Sequence, residues 1–280
     1  MRTVAIVGVG LIGGSFGLAL RKAGFEGEIL GVSSAGAISA ALEQGAISRG
    51  ASLEEAASSS DLIYLAQPVD RILRTIEQLA PLAKPDCLIT DAGSTKTQIV
   101  NKAADCLPRT PFLGGHPMAG KEQRGVKVAD ARLFEGRPYV LTPDGPENGH
   151  AAAFRSWLIE FGAELVQMSP EEHDATVALT SHLPQLLSTA LAQTLATQDN
   201  KYVERVFGRG LLDMTRLAMS EPELWSSILS TNQDGLNAAI DNFLRTVAEL
   251  RNSIGTEELP RLFHTARAFS GKIRSTGCSS

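Results

Sequence analysis

The most constraining stretch lies at the amino terminus. Val4-Ala-Ile-Val is a short apolar run, and Gly8-Val-Gly10-Leu11-Ile12-Gly13 follows it directly. A buried strand that passes through a GxGxxG turn into a helix is how a dinucleotide-binding βαβ unit begins. In that role Gly8 permits the tight turn, Gly10 lets the backbone approach a pyrophosphate, and Gly13 lets the helix pack close to the sheet. Leu11 and Ile12 complete the turn as the helix opens. The anion then rests at a helix N-terminus, where N–H groups and the helix dipole favour negative charge. A glycine turn with no ligand is the alternative.

The pattern that follows supports a sheet of this type. Apolar β-type runs fall at residues 3–7, 28–32, 62–66, 87–91, 112–113, 139–142 and 164–167. Several are continuous rather than alternating, as strands buried on both faces of a parallel sheet are. Helical stretches between several of them imply βαβ units. Near Ser169 the pattern changes. Ser169-Pro170-Glu171-Glu172 and Ser220-Glu221-Pro222-Glu223 read as capping boxes, and no convincing strand follows. Residues 224–250 read as one long amphipathic stretch, with Gly255 as a helix stop. The expected fold is α/β: an N-terminal Rossmann-type doubly wound sheet over 1–167, then an all-helical dimerisation domain over 168–274. The polar end, 275–280, reads as a disordered tail. So thin a helical set completes its core against a second copy, which supports a homodimer.

Composition excludes some classes. The net charge is −5 with no block of one sign, so neither a nucleic-acid groove nor a membrane patch is expected. No apolar run reaches the roughly 18 residues that span a bilayer. No signal peptide is visible, and a cytoplasmic location is the default expectation. Cys87, Cys106 and Cys278 show no CxxC spacing, so no metal site and no disulfide framework is expected.

An Asp or Glu at the end of the second strand would grip the ribose of NAD. This chain has Ser33-Ser34 there. The barrier to a 2′-phosphate is missing, so the reading leans to NADP and leaves NAD open. Two further segments are read as ending strands on the ligand edge of the sheet, Asp91-Ala-Gly-Ser94-Thr-Lys96 and Gly114-Gly-His116-Pro-Met-Ala-Gly120. A histidine between Gly-Gly and Pro suits general-base work near neutral pH, or a structural place. In Ser181-His182-Leu183-Pro184-Gln185, Pro184 should kink a helix or leave a carbonyl unbonded. His182 and Gln185 share a face there; a bundle histidine and a substrate contact both fit. Arg216, among apolar neighbours, suits a substrate carboxylate or a salt bridge to Asp213 or Glu221.

In this order, GxGxxG, DxGSxK, GGHPMAG, SHLP and DxTR resemble the prephenate/arogenate dehydrogenase family of tyrosine biosynthesis, from Val4 to about residue 250. The resemblance implies an NAD(P)-dependent oxidative decarboxylation of prephenate to 4-hydroxyphenylpyruvate, or of arogenate to tyrosine. It implies that His116 takes the substrate's C4 hydroxyl proton as hydride leaves C4. Ser94 would hydrogen-bond that histidine and the hydroxyl, Arg216 would hold a substrate carboxylate, and His182 would lie near the substrate. Some relatives carry histidine where this chain has Gln185, which leaves the choice between prephenate and arogenate open. No fused chorismate mutase or regulatory ACT domain is expected. A β-hydroxyacid dehydrogenase would call for a lysine in the helix at 171–178, where none stands. A non-catalytic dinucleotide sensor would need neither His116 nor Arg216.

Overall fold

A computed structural model describes residues 1–143 and 149–277. Eight strands form one sheet: β1 (Thr3–Val7), β2 (Glu28–Val32), β3 (Arg49–Gly50), β4 (Leu62–Leu65), β5 (Leu88–Asp91), β6 (Phe112–Pro117), β7 (Pro138–Thr142) and β8 (Glu164–Gln167). Their order is β3-β2-β1-β4-β5-β6-β7-β8, and every pairing is parallel except β6 with β7. The chain enters at β1, in the middle, and the order reverses between β1 and β4. Ligands bind at such a reversal, outside the carboxyl ends of the strands.

The continuous apolar strands are buried on both faces. In β1, Val4 and Ile6 pack with Phe16, Leu20 and Tyr64 on one side of the sheet. Ala5 and Val7 pack with Ile63, Ile72 and Ile89 on the other. Burying each such aliphatic side chain is worth about 1.5–3 kcal/mol, so both layers hold the sheet.

Two strands differ from the sequence reading. β3 is two residues long, too short to leave a periodic signal. β6 runs to Pro117 instead of stopping at Leu113. Its first residues pair parallel with β5, and Gly114–Pro117 pair antiparallel with β7. His116 therefore stands within a strand, opposite Val140, rather than beyond one.

The chain divides into two compact units. One comprises Met1–Val177 with Met219–Asn232; the other comprises Ala178–Ala218 and the chain from Gln233 onward. Strands stop at 167, where the sequence suggested a domain boundary. The first unit keeps the next helix, Pro170–Val177, because His173 and Asp174 bond to sheet-side residues. The expected long stretch over 224–250 is two helices, Pro222–Thr231 and Gln233–Asn252. They part at buried Asn232, whose side-chain amide donates to the Asp174 carbonyl at 2.7 Å.

In the second unit a small core joins Ala178, Leu183 and Ala239 with Leu187, Ile240 and Phe243. Helix Glu258–Gly277 carries through 275–277, where a disordered tail was expected; 278–280 lie outside the described residues. Among the described residues no helix is long and apolar enough to cross a membrane.

Candidate active site

The glycine turn joins β1 to the helix Leu11–Lys22. Gly8 has φ +94°, and a Cβ there would come within 2.5 Å of the Ala66 carbonyl oxygen that follows β4. A Cβ on Gly13 would lie 2.2 Å from the Gly8 oxygen. Only glycine serves at either position. A Cβ on Gly10 would meet nothing within 4 Å, so backbone faces open space where a pyrophosphate would approach. Ile12 packs toward the sheet core, and Leu11 opens the helix beside it.

Beside the turn lies a cavity of about 720 Å³. Gly8, Gly10, Ser33 and Ser34 line it, as do Arg71, Arg124 and Lys127. Among the described residues no carboxylate does. Ser34 is the N-cap residue of helix Ala35–Glu43, yet its hydroxyl makes no capping bond, and no acid stands in that helix's first turn. These donors, the cations and the open backbone at Gly10 fit a nicotinamide dinucleotide.

The second group of polar residues is tied together by two carboxylates. Asp91, the last residue of β5, is fully buried. Its carboxylate accepts the N–H of Gly93 at 2.7 Å and that of Gly115 in β6 at 3.1 Å. Lys96, also fully buried, sets its ammonium on the same carboxylate. Burial pushes the Lys96 ammonium below its ordinary pKa, and Asp91 opposes that shift. The loop from Ala92 to Lys96, with half-buried Ser94, is thus fastened to β6.

Asp174 is the second anchor. Its two oxygens accept the N–H groups of Lys96 at 2.7 Å and Thr97 at 2.9 Å, at the start of helix Thr97–Cys106. It also accepts from His173 Nδ1 at 2.7 Å. Burial raises the Asp174 pKa, but the bonds from His173, Thr97 and Lys96 outweigh it, and the group lies below the usual range. His173 is fully buried, and its Nε2 is 2.8 Å from Nδ1 of His116. The two rings meet edge to face at 5.0 Å between centroids. His173 is therefore the partner of His116 at Nδ1, a contact that the sequence did not point to.

His182, Gln185 and Arg216 belong to the helical unit. Residues Ala178–His182 form a π-helical turn, and Pro184 falls in the first turn of helix Leu183–Ala196. Pro184 has no N–H to donate, and it falls where the π turn runs into that helix. The expected kink takes the form of the π turn, a feature frequent at functional sites. His182 and Gln185 are buried. The Gln185 amide donates to the Leu217 carbonyl at 2.9 Å, and Ser188 Oγ accepts the Ala218 N–H at 3.0 Å. Both fix the 3-10 turn Arg216–Met219. Arg216 itself is exposed, although its apolar neighbours in sequence suggested otherwise; Leu212, Met214 and Met219 are exposed too.

The sequence reading missed His173, Asp174 and the anchoring by Asp91. One signal was present. His173, Asp174, Val177 and Ala178 repeat at the spacing of an inward helix face, and all four are buried. Two ionisable residues on such a face need partners.

A dinucleotide turn at the sheet's reversal, joined to a strand histidine held by a second histidine and a carboxylate, defines a nicotinamide-dependent dehydrogenase. Residues 16–167 match the nucleotide-binding domain of prephenate dehydrogenase, and residues 169–268 match its dimerization domain. The chain belongs to the prephenate dehydrogenase family. It is 36% identical to the prephenate dehydrogenase of Bacillus subtilis, over 93% of this chain and 72% of that one. The crystal structure of prephenate dehydrogenase from Aquifex aeolicus in complex with hydroxyphenyl propionate and NAD+ superposes with a TM-score of 0.91 at 32% identity, covering 98% of each chain. The arogenate dehydrogenase of Synechocystis matches with a TM-score of 0.84 at 29% identity, over 98% of this chain and 99% of that one.

Proposed function

We propose that the chain oxidatively decarboxylates prephenate or arogenate, with His116 as the base. The observation that carries this is the position of His116: a strand fixes its backbone and His173 fixes its ring. A bound nicotinamide supplies the acceptor for the hydride that leaves C4. His116 takes the C4 hydroxyl proton as that happens. The ring carboxylate departs as CO2, its bond pair restores an aromatic ring, and His116 returns the proton to the phenol oxygen. General-base help of this kind contributes about 10²–10⁴-fold. Ser94 orients the hydroxyl, and Arg216 holds a substrate carboxylate. His182 and Gln185 support the substrate side, Gln185 by fixing the turn that carries Arg216.

We also propose NADP as the favoured dinucleotide. Ser33, Ser34 and three cations line one cavity, and among the described residues no carboxylate lines it to repel a 2′-phosphate. Exposed Leu244, Val247, Phe263 and Phe269 support pairing of two copies through the helical unit. A biosynthetic enzyme using a diffusible dinucleotide belongs, on this reading, in the cytoplasm.

The test is a two-by-two assay of prephenate and arogenate with NAD+ and NADP+, followed by nicotinamide absorbance. Turnover of at least one pair is expected, with NADP+ giving the higher kcat/KM. No turnover of either substrate would refute the reading.

A further inference from the structure

We infer that His173 and Asp174 are a positioning pair that holds the His116 ring with Nε2 as its basic nitrogen. The inference rests on the reading of His116 as base. The proton order follows from the hydrogen-bond network. Both Asp174 oxygens receive backbone N–H groups, from Lys96 and Thr97, and these groups only donate. Asp174 is thus an acceptor, so His173 must present Nδ1–H to it. A neutral His173 then offers a lone pair at Nε2. That nitrogen faces Nδ1 of His116, which must carry its proton. The His116 lone pair is left on Nε2. The opposite tautomers would set a nitrogen lone pair against a carboxylate.

The pair also answers the charge that develops on His116. When His116 takes a proton, Asp174 lies two hydrogen bonds away, through the fully buried His173. In such surroundings a fixed carboxylate acts more strongly than in solvent. Lys96 turns its ammonium to Asp91. The Tyr64 and Tyr139 phenols, beyond Asp91, are kept neutral by burial. Asp174 is held in turn by the N-terminus of helix Thr97–Cys106 and, through its carbonyl, by Asn232. A carboxylate behind a catalytic imidazole has a known worth elsewhere: replacing it with an amide lowered kcat about 10⁴-fold in a serine protease.

Asp174→Asn and His173→Gln test this. Asn keeps an oxygen for the Lys96 and His173 N–H groups but carries no charge, so the imidazolium that forms on His116 loses the carboxylate that answers it. For Asp174→Asn we expect kcat to fall by about 100-fold or more, the dinucleotide dissociation constant to stay within about twofold, and the acid limb of the kcat–pH profile to move to lower pH. His173→Gln leaves the Asp174 cap in place, so it should fold as the parent does and still lose about tenfold or more in kcat. Near-parental kcat with an unshifted limb in both variants overturns the proposal. So does a loss of kcat that merely tracks weaker dinucleotide binding, with the limb unmoved. His116→Asn, measured alongside, separates the two readings. If it stays active, the base assignment itself is wrong. If it is inactive while His173→Gln is not, the base assignment stands and the positioning pair does not.

Discussion

Lys96 rests its ammonium on the Asp91 carboxylate with both side chains wholly shielded from water. The pair does more than neutralise itself, because Asp91 also receives the N–H groups of Gly93 and Gly115. One carboxylate thereby joins the Ser94 loop to the strand that carries His116. Removing one partner of a buried pair strands the other charge and costs about 3–5 kcal/mol. Lys96→Met should therefore lower the unfolding free energy by that amount in urea titration. A loss under about 1 kcal/mol would mean that Asp91 does not depend on Lys96.

Gln185 and Ser188 offer a separate test in the helical unit. Their bonds to Leu217 and Ala218 hold the turn that begins at Arg216. Gln185→Leu with Ser188→Ala removes both at about 1 kcal/mol each. The substrate KM should rise at least severalfold, while dinucleotide affinity stays unchanged. An unaltered KM in a folded double variant would show that this turn does not carry the substrate-binding arginine.

These residues also show what could be read from the chain alone. β1, the glycine turn and the strands buried on both faces were legible, since each leaves a local pattern: an apolar run, a φ that glycine requires, a helix start. His116 stood out for its Gly-Gly-Pro surroundings. Its partners did not. His173 and Asp174 lie 57 and 58 positions further on, and no spacing rule links them to a strand histidine. β6 was cut short because Gly114 and Gly115 look like a turn, and only pairing with β7 makes them strand. Arg216 misled in the other direction: apolar neighbours in sequence did not mean burial, because Leu212, Met214 and Met219 are themselves exposed.

Asp174 should leave a mark on acid stability. Burial raises its pKa, and the bonds from His173, Thr97 and Lys96 overcome that and hold it below the ordinary 3.8. As pH falls, the unfolded chain takes up this proton before the folded one does. The stabilisation is therefore complete above about pH 3.8 and is lost as pH drops further. The gap in unfolding free energy between the parent and Asp174→Asn should be widest near neutrality and should narrow below that value. A constant gap over that range, in urea titrations at several pH values, would count against an ionised, capping Asp174.

The choice of dinucleotide is open to a single substitution at the end of β2. Ser33 and Ser34 stand where an acid would grip a ribose hydroxyl pair. The cavity they line holds Arg71, Arg124 and Lys127 and, among the described residues, no carboxylate. Ser33→Asp would set a negative charge where a 2′-phosphate is proposed to sit. The KM for NADP+ should then rise by about tenfold or more, and that for NAD+ should hold or fall, since a tenfold change needs only about 1.4 kcal/mol. Lys127→Ala should act on NADP+ alone, because NAD+ has no charge at that hydroxyl, and the effect should shrink in high salt as the phosphate is screened. If Ser33→Asp leaves the ratio of kcat/KM for the two dinucleotides unchanged, the 2′-position does not meet this wall, and the three cations serve the pyrophosphate instead.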